Sequence, residues 1–413
     1  MSERLHITRL GSAGDGVADS ADGPVYVPFA LPGEDVEVFR AGSRAQLASV
    51  LTASPERQDP VCRHFGTCGG CALQHLETEA YRAWKRDRLV DALRREGIEA
   101  DVQPLVACPP RSRRRVAFSA RRTAQGAVLG FNRAQSHEIV DISENWIAVP
   151  AIVEALPALR DLAARIAKTP EPFRLLVTAT QSGLDIAAEG SGRLGEGERR
   201  AVADSVVRSG WARLAIDGEI VIEPRKPVVT FGQAAVAPPP GAFLQAVAEA
   251  EEAMAAFVSG HFKGAKRVLD LFAGVGSFAL RLASGAAVHA VESDAAALAA
   301  LDRAARGTPG LKPVTVENRD LHRRSLLPRE LEGFDAAVFD PPRAGAEAQA
   351  RDLARSNVPR VAAVSCNPTT LARDLKLLLS GGYRLLSVTP VDQFLWSPHV
   401  ETVALLEKPK RRR

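Results

Sequence analysis

Two sets of cysteines stand in contrasting surroundings. In VSCNPTTLARDL, residues 364 to 375, Cys366 follows a short apolar run and precedes an Asn-Pro pair where a helix reads as starting. In CRHFGTCGGC, Cys62, Cys68 and Cys71 stand at C-x5-C-x2-C spacing around paired glycines. The chain has only five cysteines in 413 residues. A lone thiol at a strand-to-helix turn has the makings of a nucleophile, because the positive end of a helix stabilises a thiolate, and Arg343 and Arg373 would add to that if they fold nearby. Three thiols within ten residues read as metal ligands in a reducing compartment, not as a disulfide framework.

A second kind of site lies upstream of Cys366. VLDLFAGVGSFALRLA, residues 268 to 283, runs strand, glycine-rich turn, helix. Gly274 and Gly276 let the backbone approach a ligand where a side chain would clash. Glu292 ends the next strand, AVHAVES, and is placed to accept hydrogen bonds from ribose hydroxyls. Asp340, in FDAAVFDPPRAG, ends a further strand, with two prolines fixing the direction of its carboxylate. Asp320, in ENRDLHRR, suits either an adenine edge or a helix cap. A dinucleotide cradle usually has a third glycine where this chain has Ala279. With Asp270 inside the strand, FAGVG is more similar to the nucleoside-binding loop of S-adenosylmethionine-dependent methyltransferases.

A thiolate beside a methyl donor defines a chemistry. Carbon 5 of uracil is a poor nucleophile. Addition of a thiolate to carbon 6 makes an enolate with carbanion character at carbon 5, which can take a methyl group. A base must then remove the carbon-5 proton so that the thiol is eliminated. HVETVALL supplies Glu401 at the entry to the last strand, and it is the candidate base.

The elements that must position these residues fall into three regions. Residues 1–55 show short strands between Gly-Asp-Gly and Asp-Gly turns, the pattern of a small OB-like β-barrel. Residues 56–235 hold the cysteine segment, a helix over LETEAYRAWKRDRLVDALRREG, and a mixture of strands and helices that reads as α+β. In residues 236–413, after PPPG, a helix over AFLQAVAEAEEAMAAFVSGHF precedes strands that alternate with helices. That makes an α/β, doubly wound, Rossmann-like domain with a parallel sheet.

Composition sets the outer bounds. An apolar fraction of 46% and a charged fraction of 25% are ordinary for a globular chain. No apolar run has the length needed to cross a bilayer, and MSERLHITRL lacks the core of a signal peptide, so the expected location is the cytoplasm. Arginine is concentrated in PPRSRRRVAFSARR, residues 109 to 122, and in the tail KPKRRR. The arginine fork suits phosphates, so RNA or DNA is the expected partner, with a merely solvated face as the alternative for the tail. Val116, Phe118 and Ala120 alternate with the arginines as in a strand with one face buried.

Taken together, DLFAGVGSF, DPPRAG, SCNPTTLARDL and HVETVALL, in this order, resemble the RNA 5-methyluridine methyltransferase family. The N-terminal half resembles its ribosomal-RNA branch, with a TRAM-type barrel, the CRHFGTCGGCALQHL segment and a central domain. The resemblance implies an RNA (uracil-C5) methyltransferase using S-adenosylmethionine, acting as a monomer. Cys366 matches the nucleophile and Glu401 the base. Gln245, in GAFLQA, matches the glutamine of the FxQ motif, while Phe272, Glu292, Asp320 and Asp340 match positions lining the donor pocket. The implied substrate is a uridine of 23S rRNA. Alternatives are a tRNA uridine, an RNA cytidine, or a non-catalytic RNA-binding protein on the same scaffold. One departure is FLQAV where the family has FFQVN.

The resemblance also implies that Cys62, Cys68 and Cys71 hold a 4Fe–4S cluster, a group suited to thiolates. The family's fourth cysteine would follow the strand in IVDISENWIAVP, and Asn145 stands there instead. The fourth position then falls to Cys108, to Asn145, to water or another ligand. Zinc with His64 or His75 as fourth ligand, and a labile or absent cluster, remain open.

Overall fold

The structure, a computed structural model, describes residues 2–134 and 136–409. The last four residues of the KPKRRR tail lie outside that range.

The N-terminal strands form a six-stranded sheet in the spatial order Glu3–His6, Asp35–Ala41, Arg44–Thr52, Gly23–Val27, Gly16–Ser20, Arg9–Leu10. Its two edges are consecutive in sequence. Ile7 and Thr8, between them, donate their N–H groups to the carbonyls of Glu34 (2.9 Å) and Val17 (2.8 Å), so the sheet closes on itself around Ile7, Val25, Val27, Val36 and Val38. Closure removes the exposed edges that a short sheet would otherwise present. Buried Glu34 then ties the barrel to the cysteine segment, pairing with Arg57 through two oxygens at 2.5 and 2.8 Å.

The central region is a seven-stranded sheet, residues 115–222, with helices Leu156–Ile166 and Glu196–Arg208 packed on a core that includes Phe118, Leu129, Leu159 and Val177. The expected burial of Val116, Phe118 and Ala120 is present. Within the 56–235 stretch, however, helix Thr78–Arg95 and strand Val106–Ala107 pack on the C-terminal sheet. Leu89 and Leu93 share a core with Leu375 and Leu378, and Val106 pairs with Val391. The helix periodicity was legible; which sheet it covers was not, because the apolar face is the same for either.

The C-terminal sheet has eight strands. Seven run in one direction, five of them as neighbours in the order Val314–Asn318, Ala287–Glu292, Arg267–Leu271, Ala336–Phe339, Arg360–Ser365. The expectation of a wholly parallel sheet fails at its far side. Glu401–Glu407 runs antiparallel, inserted between Arg360–Ser365 and Arg384–Asp392. The eight residues from 393 to 400 hold no helix, and a link this short cannot make the crossover that a parallel pair requires. A second difference is local: the helix read from residue 242 begins at Ala248. The preceding residues are held extended, because Gln393 accepts the Ala246 N–H at 2.9 Å and the Ala246 carbonyl accepts the Arg114 N–H at 2.8 Å.

The 393–400 loop leads directly into Glu401 and is clamped from the cysteine side of the chain. Fully buried Lys85 is ion-paired with Asp392 and donates to the carbonyls of Phe394 (2.9 Å) and His399 (2.5 Å). The Tyr81 hydroxyl donates to Asp392 at 2.6 Å and accepts the Trp396 N–H at 2.8 Å. The Trp396 carbonyl in turn accepts the Ala72 N–H at 2.8 Å, next to Cys71. Loss of Lys85 strands the Asp392 carboxylate in a dry site, so Lys85→Met is expected to lower stability by about 3–5 kcal/mol. Urea unfolding measures this, and a change within experimental error would contradict the clamp.

Candidate active site

The carboxyl ends of the parallel strands form one edge, the place where open α/β sheets bind ligands. On that edge lie the glycine loop after Leu271, Glu292, Asp320, Asp340 and Cys366. Glu401 joins them from the opposite chain direction. The ladder ends at the Ser365–Thr402 pair, with Cys366 the next residue on one side and Glu401 on the other, and the Glu401 charge bears on the thiol.

Behind this pair runs a chain of side-chain hydrogen bonds that joins two carboxyl groups. The Gln393 amide nitrogen donates to Glu401 Oε2 (2.6 Å) and to Gln245 Oε1 (2.7 Å). Gln245 Nε2 then donates to Asp340 Oδ2 (2.7 Å). Gln245, Gln393 and Glu401 are all buried. Gln393 and its role were not read from the sequence; a glutamine beside Asp392 carries no local mark of a residue 148 positions away in its hydrogen bonds. Arg114 fixes the other end of the Gln245 segment, donating to the Gln245 carbonyl (3.1 Å) and to Glu251 (2.6 Å).

Burial governs the protons here. Glu401 is held well above the usual carboxylate range by desolvation and by the Asp340 charge, and its Oε1 has no partner in the protein. Asp340 is pushed up to about 7 by burial, against the Gln245 hydrogen bond. The expectation of a depressed thiol pKa is overturned. Burial raises Cys366 to about 11, Glu401 and Asp340 add to the rise, and Arg343 and a backbone hydrogen bond oppose it. The thiol precedes the helix Pro368–Ser380, but Asn367 takes the N-cap, accepting the Thr369 N–H at 3.1 Å. Arg373 is engaged with Asp374, Glu347 and the Ala344 carbonyl. Arg343 donates to His399 Nδ1 at 2.8 Å, and burial together with Arg343 holds that imidazole neutral with its pKa lowered to about 4.

The glycine loop has the strain of a ligand clamp. Phe272 sits at φ 63°, Gly274 at 54° and Gly276 at 95°. A Cβ on Gly276 would meet Leu301 at 2.7 Å, so this glycine serves close packing as well as backbone freedom. Glu292 Oε2 accepts the Gly274 N–H (2.9 Å), and Oε1 accepts the N–H groups of Ser293 (2.6 Å) and Asp294 (2.8 Å). No helix follows Asp320; its carboxylate instead holds a turn, accepting the N–H groups of His322 (2.9 Å) and Arg323 (3.2 Å). Asp270 is fully buried; Oδ2 accepts the Ala279 N–H at 2.7 Å while Oδ1 is left without a partner under the loop.

The three clustered cysteines line a separate cavity of about 590 Å³, together with His64, Arg113, Glu144, Asn145 and Phe394. Cys108 is not there. It is buried among Val247, Ala250 and Val391 in the C-terminal core, which removes it as a fourth ligand. Asn145 Oδ1 accepts the N–H groups of Ile147 (2.9 Å) and Ala148 (2.8 Å). His75 does not line the cavity; it is buried behind Phe29 and Phe65, which do, and neither ring nitrogen has a partner among the described residues. Among the described residues no three His, Cys, Asp or Glu side chains converge as a single ion would require, so the zinc alternative lacks its geometry. The arginine patch divides as well. Arg111, Arg113 and Arg115 stack over Trp146, Phe394 and Phe243, and Arg111, Arg121 and Arg122 are exposed.

Comparison with known proteins places this geometry. A family model described as tRNA (Uracil-5-)-methyltransferase matches residues 313–409. An uncharacterized RNA methyltransferase of Mesorhizobium japonicum is 60% identical over 100% of both chains. The 23S rRNA (uracil(1939)-C(5))-methyltransferase RlmD of Pectobacterium atrosepticum is 32% identical over 97% of this chain and 92% of its own. The chain belongs to the RNA uracil-C5 methyltransferase family. Its fold matches the Pyrococcus abyssi tRNA (uracil-54, C5)-methyltransferase in complex with S-adenosyl-L-homocysteine. The TM-score is 0.77 at 25% identity, with coverage of 98% and 99%.

A thiol pushed to about 11 reacts slowly near neutrality. Alkylation of Cys366 by iodoacetamide, followed on its tryptic peptide by mass spectrometry, should be slow at pH 7 and still accelerating at about pH 9 to 10. A rate that levels off below about pH 8 would contradict the buried, carboxylate-flanked site.

Proposed function

We propose that this enzyme transfers a methyl group from S-adenosylmethionine to carbon 5 of a uridine in 23S rRNA. The observation that carries the reading is the cross-strand placement of Cys366 and Glu401 at the ligand edge of the sheet, in a chain of this family. The rRNA assignment is favoured by the full-length similarity to RlmD. The reaction would take place in the cytoplasm on RNA, with the enzyme as a monomer.

In this mechanism the flipped uracil sits between Cys366 and Glu401. The Cys366 thiolate adds to carbon 6, and the electron pair passes to carbon 5 and the carbon-4 oxygen. Bound S-adenosylmethionine would supply the methyl group to carbon 5, its sulfur keeping the electron pair of the broken bond. Glu401 takes the carbon-5 proton, and the carbon–sulfur bond to Cys366 breaks to restore the ring. The Gln393 N–H that Glu401 accepts favours its ionised form and offsets part of the burial cost. Gln245 orients Asp340 toward the donor while sharing Gln393 with the base.

The donor would rest on the loop of Phe272, Gly274 and Gly276, with Glu292 facing the ribose and Asp320 and Asp340 completing the pocket. The orphaned Asp270 oxygen and the left-handed Phe272 fit a loop shaped for a ligand. The barrel and exposed arginines 111, 121 and 122 would grip the surrounding RNA through phosphates.

Cys62, Cys68 and Cys71 fit an iron–sulfur cluster by donor chemistry. Burial raises all three thiols, Cys71 to about 12, and the neighbouring thiols add to the rise at Cys71 and Cys62, a cost that bound iron would remove. A Cβ on Gly69 would meet the Asn132 carbonyl at 2.6 Å, so the loop can close this tightly only with glycine. Such a cluster would supply a rigid cross-link between the cysteine loop and the central sheet, not a redox step.

Cys366→Ala is expected to abolish methylation while keeping donor binding. Glu401→Gln is expected to accumulate a covalent RNA adduct, seen as a retarded band on a denaturing gel. Absence of that adduct with an RNA the wild type methylates would sink the base assignment. Mapping of 5-methyluridine in RNA from a deletion strain should show loss from 23S rRNA; loss from tRNA alone would overturn the substrate.

A further inference from the structure

The cavity around Cys62, Cys68 and Cys71 has three thiols and a fourth side. What can complete a cluster there is decided by which donors still have a free lone pair. Asn145 has none aimed inward, because its oxygen already accepts two backbone N–H groups. His64 is excluded by its tautomer. Its Nε2 accepts the Ser143 N–H at 3.0 Å, so Nδ1 carries the proton, and neither nitrogen presents a lone pair. Gln74 uses its Oε1 on the Cys62 N–H at 3.1 Å. Cys108 is in another core.

Two carboxylates line the cavity, Asp15 and Glu144. Asp15 belongs to the barrel, and the charge acting on it is Arg44, not a cysteine. Glu144 stands beside the thiols. Its Oε1 accepts the backbone N–H of Arg63, the residue after Cys62, at 2.7 Å, and Oε2 lies 3.6 Å from the Arg63 side chain. Its charge bears directly on Cys62. The backbone bond and a hydrogen bond with the Cys62 thiol hold the carboxylate at the cavity, and its contact with the exposed Arg63 guanidinium is long.

We propose that Glu144 supplies a carboxylate oxygen to the fourth iron, making a cluster held by Cys62, Cys68, Cys71 and Glu144. This rests on the cluster reading given above. A cubane takes its four ligands at four corners of a core, so it does not need the single point of convergence that one ion demands. An oxygen at one corner makes that iron unlike the other three. Thiolate is the softer ligand for iron in such clusters, and a carboxylate holds its iron less firmly. The fourth iron is therefore the exchangeable one. Its departure as Fe(II) with the carboxylate released leaves a three-iron core on the three cysteines, with no change in electron count on the remaining atoms.

The consequence is read on the full-length protein, reconstituted without oxygen with iron and sulfide and then challenged with EDTA. Native mass spectrometry counts iron and sulfide, so methylation activity is not needed. Wild type should lose one iron and stop at the three-iron species. Glu144→Gln should lose that iron about tenfold faster or more, and Glu144→Cys should retain it about tenfold longer or more. Asp15→Asn should behave as wild type. If Glu144→Gln and Glu144→Cys both match wild type, or Asp15→Asn accelerates the loss instead, Glu144 is not the ligand. If wild type takes up no iron and sulfide beyond a Cys62→Ser, Cys68→Ser, Cys71→Ser triple variant, the cluster reading itself fails, and this proposal with it.

Discussion

The site depends on the position of one strand. Glu401–Glu407 enters the sheet between Arg360–Ser365 and Arg384–Asp392 and runs against the first of them, in the register that pairs Ser365 with Thr402. A one-residue slip would turn Glu401 to the other face of the sheet and take it away from Cys366. The register is secured at both ends of the preceding loop. Gln393 binds Glu401 and the Ala246 N–H, and Lys85 holds Asp392 and the His399 carbonyl. Glu401 is therefore placed by the helix at residues 78–95 as much as by its own strand.

Low polarity at this edge gives the three acidic groups their character. Cys366, Glu401 and Asp340 all favour their neutral forms, chiefly because burial penalises each charge; Glu401 and Asp340 add to the rise at Cys366, Asp340 at Glu401, and Glu251 at Asp340. In the proposed cycle only one of these charges is needed at a time: the thiolate at addition, the carboxylate at proton removal. A site that resists holding both is suited to such a sequence, and water exclusion protects the activated ring. The amide pair Gln245–Gln393 can accommodate the alternation because each glutamine carries a donor and an acceptor.

Much of this was legible in the residues, for physical reasons that can be named. Fully apolar strands with helices between them gave the sheet, and the turn after Leu271 gave the strained loop. The positions of Cys366, Asp340 and Glu401 followed from strand ends. What escaped were contacts between distant segments. Lys85 and Asp392 are 307 residues apart, and a lysine inside an amphipathic helix looks the same in sequence whether it meets water or a buried aspartate. The antiparallel last strand was hidden because its apolar run, VETVALLE, fits a buried strand of either direction. The thiol's pKa was misjudged because a helix terminus is visible in sequence, whereas two carboxyl neighbours and burial are not.

The central claim is that Cys366 bonds the pyrimidine while a second group across the strand removes the carbon-5 proton. A cognate RNA carrying 5-fluorouridine at the target tests it most directly, since fluorine cannot leave as a proton does. Incubated with S-adenosylmethionine and then digested, the protein should yield the peptide containing Cys366 with a methylated fluoropyrimidine attached. An unmodified Cys366 peptide, or the adduct on any other residue, would contradict the account.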